Sequence, residues 1–219
     1  MYTRLQYISQ GFTGKEQLGN IQNLLDAGCE WVQLRFKNGN NKELYDLAER
    51  VKKLCSTYHA TFIMNDHVNI AKIVDADGVH LGLHDTSIAQ ARTILGGNKI
   101  IGGTANTIQD VMMRIDEKCD YIGLGPFRFT STKEKLSPVL GLDGISIIMK
   151  EVLSWEKLIP IYAIGGITLD DVSSIIKTGV FGVAVSGAIT THLNKKELMQ
   201  KFNLLLHETH MIGPNHKHK

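Results

Sequence analysis

Residues 31–37 alternate strictly between apolar and polar side chains, with Gln33, Arg35 and Lys37 on the polar side. A period of two residues is typical of a β-strand whose two faces meet different surroundings. The flanking segments show helical periodicity, which favours a parallel sheet, where both faces of a strand are normally covered and apolar. Burying two uncompensated cations would cost roughly several kcal/mol each. We therefore expect an anion to meet this face; an edge strand with one face in solvent is the alternative.

The rest of the chain repeats the alternation of strand and helix. Short apolar runs predict strands, and apolar positions at helical spacing predict helices. The predicted strands are residues 5–9, 31–37, 61–64, 78–81, 99–104, 120–125, 160–164 and 182–185. The predicted helices are residues 16–27, 42–58, 67–74, 87–95, 107–117, 144–155, 169–177 and 195–207. Thr107 and Asp110 have the spacing of a capping box, and Gly28 stands where the first helix should end.

Eight strand–helix units in one chain predict an α/β fold, a single-domain (β/α)8 TIM barrel over residues 1–208. An open, doubly wound sheet is the alternative, but the number of strands favours the barrel. Residues 209–219 carry His and Lys around a Gly-Pro pair and are expected to form a disordered C-terminal tail.

Composition narrows the function classes. The 219-residue chain has a formal net charge of only +2 with dispersed basic residues, which argues against nucleic-acid binding. No apolar run approaches the roughly 18 residues of a membrane span, and the N-terminus lacks the apolar core of a signal peptide. Cys29, Cys55 and Cys119 have no metal-site spacing. A cytoplasmic protein acting on small molecules is expected; a homo-oligomer stays open.

Polar residues recur where the predicted strands end, which in a barrel is the rim that carries active sites. Arg35, Lys37 and Lys133 are suited to phosphate oxygens, and Asp66 and Asp85 to one hard cation such as Mg2+. Gly165-Gly166 and Ser186-Gly187 end the last two strands, where backbone N–H groups can approach a second phosphate. The rim therefore predicts a pyrophosphate–Mg2+ site beside a monophosphate site. No residue arrangement suggests covalent catalysis.

The two aspartates have a simpler interpretation. Asp is a preferred helix N-cap, and Asp66 and Asp85 each lie shortly before a predicted helix. Convergence of several polar residues on one rim favours the site over the cap.

The ordered motifs resemble one family closely, the thiamine phosphate synthases. The matching segments run from about residue 5 to residue 189. They are residues 33–37 (QLRFK), 65–66 (ND), 76–82 (ADGVHLG) with Asp85, 120–126 (DYIGLGP), 130–133 (TSTK), 163–167 (AIGGI) and 182–185 (GVAV). Each motif alone is weak, but the ordered set is highly specific.

The resemblance implies a role for each predicted residue and a Mg2+ cofactor. The pyrimidine pyrophosphate would be bound by Gln33, Arg35, Lys37, Asn65, Thr104 and Lys133, of which Arg35, Lys37, Lys133 and Thr104 would be catalytic. Asp66 and Asp85 would bind Mg2+. The thiazole phosphate would be bound by Thr130, Ser131, Thr132, Gly166, Ser186 and Gly187. The implied reaction joins the two substrates into thiamine phosphate and releases pyrophosphate.

The chain departs from the family pattern at a few positions, including Leu83, Asn106, Phe129 and the Ser186-Gly187 pair. These departures bear on substrate affinity more than on reaction type. Alternatives are a thiazole tautomerase-like paralogue, a non-catalytic barrel that binds phosphorylated ligands, and a phosphate-sugar isomerase barrel. None of these needs the cations and the paired aspartates as a set.

Overall fold

The computed structural model describes residues 2–129 and 138–208 and shows a closed barrel of parallel strands in chain order. The first strand pairs with both the second and the last, so none of the strands in the described residues lies at an edge. The strands are β1 Leu5–Ile8, β2 Trp31–Leu34, β3 Thr61–Asn65, β4 Gly78–Leu81, β5 Ile100–Ala105, β6 Tyr121–Leu124, β7 Ile161–Ile164 and β8 Gly182–Val185. The predicted (β/α)8 barrel is confirmed, and the edge-strand and open-sheet alternatives are wrong.

Helices follow the strands and surround the barrel. They are α1 Gly14–Asp26, α2 Asn41–Thr57, α3 Val68–Ile73, α4 Ile88–Leu95, α5 Ile108–Asp116, α6 Gly141–Val152, α7 Val172–Lys177, α8 Gly187–Thr190 and α9 Lys195–Glu208. The predicted capping box is present at α5, where Thr107 accepts from the backbone of Asp110 and Asp110 accepts in return. Gly28 follows the C-cap of α1 with a φ of +91°, a conformation that favours glycine.

Some predicted boundaries were wrong for local reasons. β2 ends at Leu34 rather than at Lys37, because the next N–H donates to the Ser9 hydroxyl at 2.9 Å and leaves the strand ladder. Helix α6 begins three residues earlier than predicted, since the N–H of Gly141 is tied to the carbonyl of Phe127 at 3.1 Å. Helix α8 was not predicted; four residues are too few to show a helical period.

Successive side chains of each strand point to opposite faces of the sheet, and they form two separate cores. Side chains such as Val32 and Leu34 point outward and join the large cluster between sheet and helices. Trp31, Tyr121 and Tyr162 point inward and pack edge to face, with ring centroids 5.0 to 5.8 Å apart. This aromatic floor fills the amino end of the barrel, so the carboxyl end is its open mouth. No helix within residues 2–129 and 138–208 is both long and apolar enough to cross a membrane.

Candidate active site

Two aspartate side chains touch each other at the mouth of the barrel. Asp66 follows β3, Asp85 lies in the loop after β4, and their carboxyl groups are hydrogen-bonded. Burial, this hydrogen bond and the negative charge of Asp85 raise the pKa of Asp66 to about 7. Two adjacent carboxylates repel each other when both are ionised, so the pair retains a proton unless another cation replaces it.

The backbone holds both aspartates in place. Asp66 has a φ of +63°, a left-handed conformation that Asp tolerates better than most residues. Its N–H donates to the carbonyl of His80 at 2.9 Å, which joins the end of β3 to β4. Asp85 accepts a hydrogen bond from the N–H of Gly82 at 2.7 Å. The pair is therefore fixed by the ends of two neighbouring strands.

Neither aspartate caps a helix. The N-cap of α3 is His67, which makes no side-chain capping bond. The N-cap of α4 is Ser87, whose hydroxyl accepts from the backbone of Gln90. The helix-cap alternative for Asp66 and Asp85 is wrong.

Arg35 and Lys37 lie on the same side of the mouth as the aspartates. Burial dominates the pKa of Asp66, but the charges of Arg35 and Lys37 act against it and lower that pKa, so both cations are near the carboxyl pair. The carbonyl of Arg35 accepts from the Gln17 side chain at 3.1 Å, and its N–H donates to the Ser9 hydroxyl. These bonds fix the chain where β2 ends, and the predicted cluster of two cations and two carboxylates is brought together.

Three predicted ligands line the wall below this cluster. Gln33 is 1% exposed and its amide interacts with the Tyr121 hydroxyl, but among the described residues its Nε2 makes no hydrogen bond of good geometry. Such a buried donor favours a ligand that offers an acceptor. Asn65 ends β3, half-buried beside Asp66. Thr104 is half-buried near the end of β5, and its hydroxyl lies 3.1 Å from Nε2 of His80.

The turns after β7 and β8 contain the residues predicted to hold the second phosphate. Gly165 and Gly166 have φ values of +99° and +68°. A Cβ at Gly165 would lie 2.8 Å from Cβ of Pro126, so this turn requires glycine. Ser186 is the N-cap of α8, which begins at Gly187. Predicted residues Thr130, Ser131, Thr132 and Lys133 lie outside the described residues.

Arg128 connects the loop after β6 to the turn after β7, a role that the sequence did not reveal. Its guanidinium makes two 2.9 Å hydrogen bonds to the carboxylate of Asp171 and one to the carbonyl of Gly166. The hydrogen bond from Arg128 is the main reason that the pKa of Asp171 falls to about 2. An arginine in a polar loop has no periodicity, so only the fold discloses this link.

Asn106, one departure from the family pattern, is buried and ties two strand ends together. Its Nδ2 donates to the carbonyl of Gly125, and its N–H donates to Asp110 at 2.9 Å.

Comparison with known proteins matches this architecture. The family model described as "Thiamine monophosphate synthase" covers residues 6–189. A thiamine-phosphate synthase of Flavobacterium psychrophilum is 57% identical over 93% of this chain and 98% of its own. One of Flavobacterium johnsoniae is 54% identical over 93% and 96%. A solved thiamine phosphate pyrophosphorylase from Pyrococcus furiosus superposes with a TM-score of 0.81 at 29% identity and covers 96% of this chain and 97% of its own.

The fold and the charged residues at the mouth define the class of protein. It is an enzyme built on a (β/α)8 barrel, with its polar groups at the carboxyl ends of the strands. The particular family follows from the match over most of the chain. The chain belongs to the thiamine monophosphate synthase family.

Proposed function

We propose that this protein is a thiamine phosphate synthase. It would join 4-amino-2-methyl-5-hydroxymethylpyrimidine pyrophosphate to thiazole phosphate in a Mg2+-dependent reaction that yields thiamine phosphate and pyrophosphate. The named relatives support the reaction class. The observation that carries the proposal is the contact between Asp66 and Asp85 beside Arg35 and Lys37.

The aspartate pair fits a divalent cation. The raised pKa of Asp66 reflects its burial and its closeness to Asp85, and a bound cation would offset both effects. Within the described ranges, no group of three or more His, Cys, Asp or Glu side chains is arranged to hold a metal. Two carboxylates with water and phosphate oxygens make the ligand set that Mg2+ prefers. When bound, Mg2+ would neutralise charge on the pyrophosphate leaving group.

The cations of the chain would act on the same leaving group. Arg35 and Lys37 would bind pyrophosphate oxygens and stabilise the negative charge that grows as the bond from the pyrimidine methylene carbon to oxygen breaks. The resulting pyrimidinylmethyl cation would be stabilised by its own amino group. Asn65 and Gln33, whose buried Nε2 makes no hydrogen bond of good geometry to a described residue, would orient the pyrimidine substrate. Lys133 and Thr104 would complete the anion site.

The second substrate would be held across the mouth. Gly166, Ser186 and Gly187 would offer backbone N–H groups to the thiazole phosphate, and Thr130, Ser131 and Thr132 would offer hydroxyls. The thiazole nitrogen would then attack the methylene carbon to form the new C–N bond. Catalysis would rest on leaving-group stabilisation and positioning. The three buried free cysteines suit a reducing cytoplasm, where we place the reaction.

A direct assay tests the proposal. Purified protein is given both substrates with and without Mg2+, and thiamine phosphate and pyrophosphate are measured. Lys37→Gln should lower kcat/KM by about tenfold or more, since a charge-assisted hydrogen bond is lost. Lys42→Gln, which removes an exposed cation paired with Asp46 on α2, is the matched control and should leave the rate unchanged. Thiazole isomerisation without Mg2+-dependent product would favour the tautomerase alternative and overturn the proposal.

A further inference from the structure

A chain of buried polar side chains runs through the barrel to Thr104. Gln6 donates from Nε2 to the Tyr121 hydroxyl at 3.2 Å, and this hydroxyl lies 3.0 Å from Nδ1 of His80. On its other side, Nε2 of His80 lies 3.1 Å from Oγ1 of Thr104. His80 is 5% exposed, and Tyr121 and Gln6 are also buried. The imidazole therefore connects the aromatic floor to a residue at the mouth.

The directions of these hydrogen bonds follow from counting protons. Burial raises the pKa of Tyr121, so its hydroxyl stays protonated and has one proton to donate. That hydroxyl oxygen already accepts from Gln6 and faces the amide of Gln33, which also acts on it as a donor, so its own proton is left for Nδ1 of His80. A neutral imidazole whose Nδ1 accepts carries its proton on Nε2. Nε2 then donates to the Thr104 hydroxyl.

Two glycines leave room for this arrangement. A Cβ at Gly102 would lie 2.2 Å from Cζ of Tyr121, and a Cβ at Gly123 would lie 3.1 Å from Cε1 of His80. Glycine inside a strand weakens it and marks a place where another group approaches closely. Both rings are thus held in position by the strands that face them.

We propose that His80 is a positioning residue that directs the hydroxyl proton of Thr104 into the mouth, where it donates to an oxygen of the departing pyrophosphate. The inference rests on the proposed function. Because His80 occupies a lone pair of the threonine oxygen, the hydroxyl faces the anion as a donor rather than as an acceptor. This preorganisation has its greatest effect as charge grows on the leaving group.

Two amide variants separate this role from a structural one. His80→Gln places an amide nitrogen where Nε2 lies and keeps a donor toward Thr104; His80→Asn reaches only the position of Nδ1. Asn should lower kcat/KM for the pyrimidine substrate by about tenfold, the scale of one hydrogen bond to a charged group, while Gln should retain most of it. The KM for thiazole phosphate should not change in either. The loss in His80→Asn should disappear in a Thr104→Val background, where no hydroxyl remains to be directed.

A readout that needs no turnover tests the tautomer. NMR of protein labelled with 15N-histidine should show His80 protonated at Nε2 and unprotonated at Nδ1. Tyr121→Phe keeps the aromatic ring and removes the hydroxyl, which donates to Nδ1 of His80 and accepts from Gln6, so it should weaken that preference and lower kcat/KM by about threefold or more. Thermal unfolding of each variant checks that it is folded.

Three outcomes would each overturn the inference. They are equal losses of kcat/KM in His80→Gln and His80→Asn, additive losses when His80→Asn is combined with Thr104→Val, and a proton on Nδ1 of His80. A wild-type protein that forms no thiamine phosphate would instead count against the proposed function, and the NMR result would still decide the tautomer.

Discussion

Nε of Arg114 donates a hydrogen bond to the carbonyl oxygen of Thr104 at 3.1 Å, so an outer helix holds the backbone of a residue at the mouth. The same guanidinium donates to the carbonyl of Gly82 at 2.9 Å and to Glu117 at 2.8 Å. Gly82 in turn binds Asp85. One buried arginine on α5 thus fixes the ends of β4 and β5 relative to each other.

Arg114→Met should therefore reduce both stability and activity. Two half-buried carbonyls lose their donor and the Glu117 carboxylate loses its partner, which predicts a loss of about 2–4 kcal/mol in the free energy of unfolding. Urea denaturation measures the loss, and Arg50→Met on exposed α2 surface is the control, expected within about 0.5 kcal/mol of wild type. Equal stability of the two variants would contradict this role for Arg114.

Asp85→Asn should raise the Mg2+ requirement. The variant keeps an oxygen for the Gly82 N–H but removes a negative charge from the aspartate pair. The Mg2+ concentration for half-maximal rate should rise by at least about tenfold, the usual scale for losing a strong metal contact. An unchanged Mg2+ titration curve would remove Asp85 from the metal site.

The raised pKa of Asp66 predicts a pH effect on stability in the absence of divalent cations. An unfolded Asp titrates near about 4, whereas the folded group holds its proton up to about 7. Between these values the folded state binds the extra proton, so this group makes the protein less stable as pH rises and adds no further change above about 7. The free energy of unfolding of wild type minus that of Asp66→Asn, measured in EDTA, should fall across this window. A flat or rising difference would contradict the prediction.

Arg128→Ala should weaken binding of the thiazole phosphate selectively. The substitution removes the bidentate bond to Asp171 and the bond to the Gly166 carbonyl, and so loosens the turn after β7. The KM for thiazole phosphate should rise by about threefold to tenfold, with stability changed by about 1 kcal/mol or less, as for an exposed ion pair. Arg128→Lys keeps the charge without the bidentate geometry and should give an intermediate KM. Steady-state kinetics with each substrate varied in turn measures the two KM values. An equal rise in both KM values would contradict this role for Arg128.

Gly102→Ala should destabilise the barrel, while Gly19→Ala should stabilise it. A Cβ at Gly102 collides with the ring of Tyr121, which predicts a loss of about 2–3 kcal/mol. Gly19 lies within α1 with no atom near a new Cβ, and alanine there gains about 0.5–1 kcal/mol of helix propensity. Thermal melts of the two variants should shift in opposite directions, and a shared direction would show that the interior can repack.

The sequence predicted the fold well because strand periodicity and helical periodicity alternate without interruption. In residues 31–37 the period of two residues also fixed which side chains enter the barrel, and Gln33 and Arg35 face inward as predicted. The sequence also predicted that Asp66 and Asp85 lie at one rim of the barrel, from their positions at the ends of strands, but their direct contact is known only from the structure.

Other features depend on three-dimensional register and could not be predicted. His80 belongs to a recognisable motif, but its contact with Thr104 depends on how β4 and β5 are aligned, where His80 pairs with Gly102. The sequence offered two signals of this contact: a histidine within an apolar strand, and glycines inside the facing strands. Arg114 lies in a helical pattern that predicts burial of a face but not which carbonyls its guanidinium will meet.

The aromatic floor has a consequence for how the protein can change over time. Because Trp31 and Tyr162 fill the end of the barrel away from the mouth, most substitutions that alter ligand preference leave the packing that maintains the fold untouched. Tyr121 is different, since its ring belongs to the floor and its hydroxyl reaches His80. A substitution of Tyr121 therefore affects folding and chemistry together. Fewer residue types can replace Tyr121 than can replace a residue with only one of these roles.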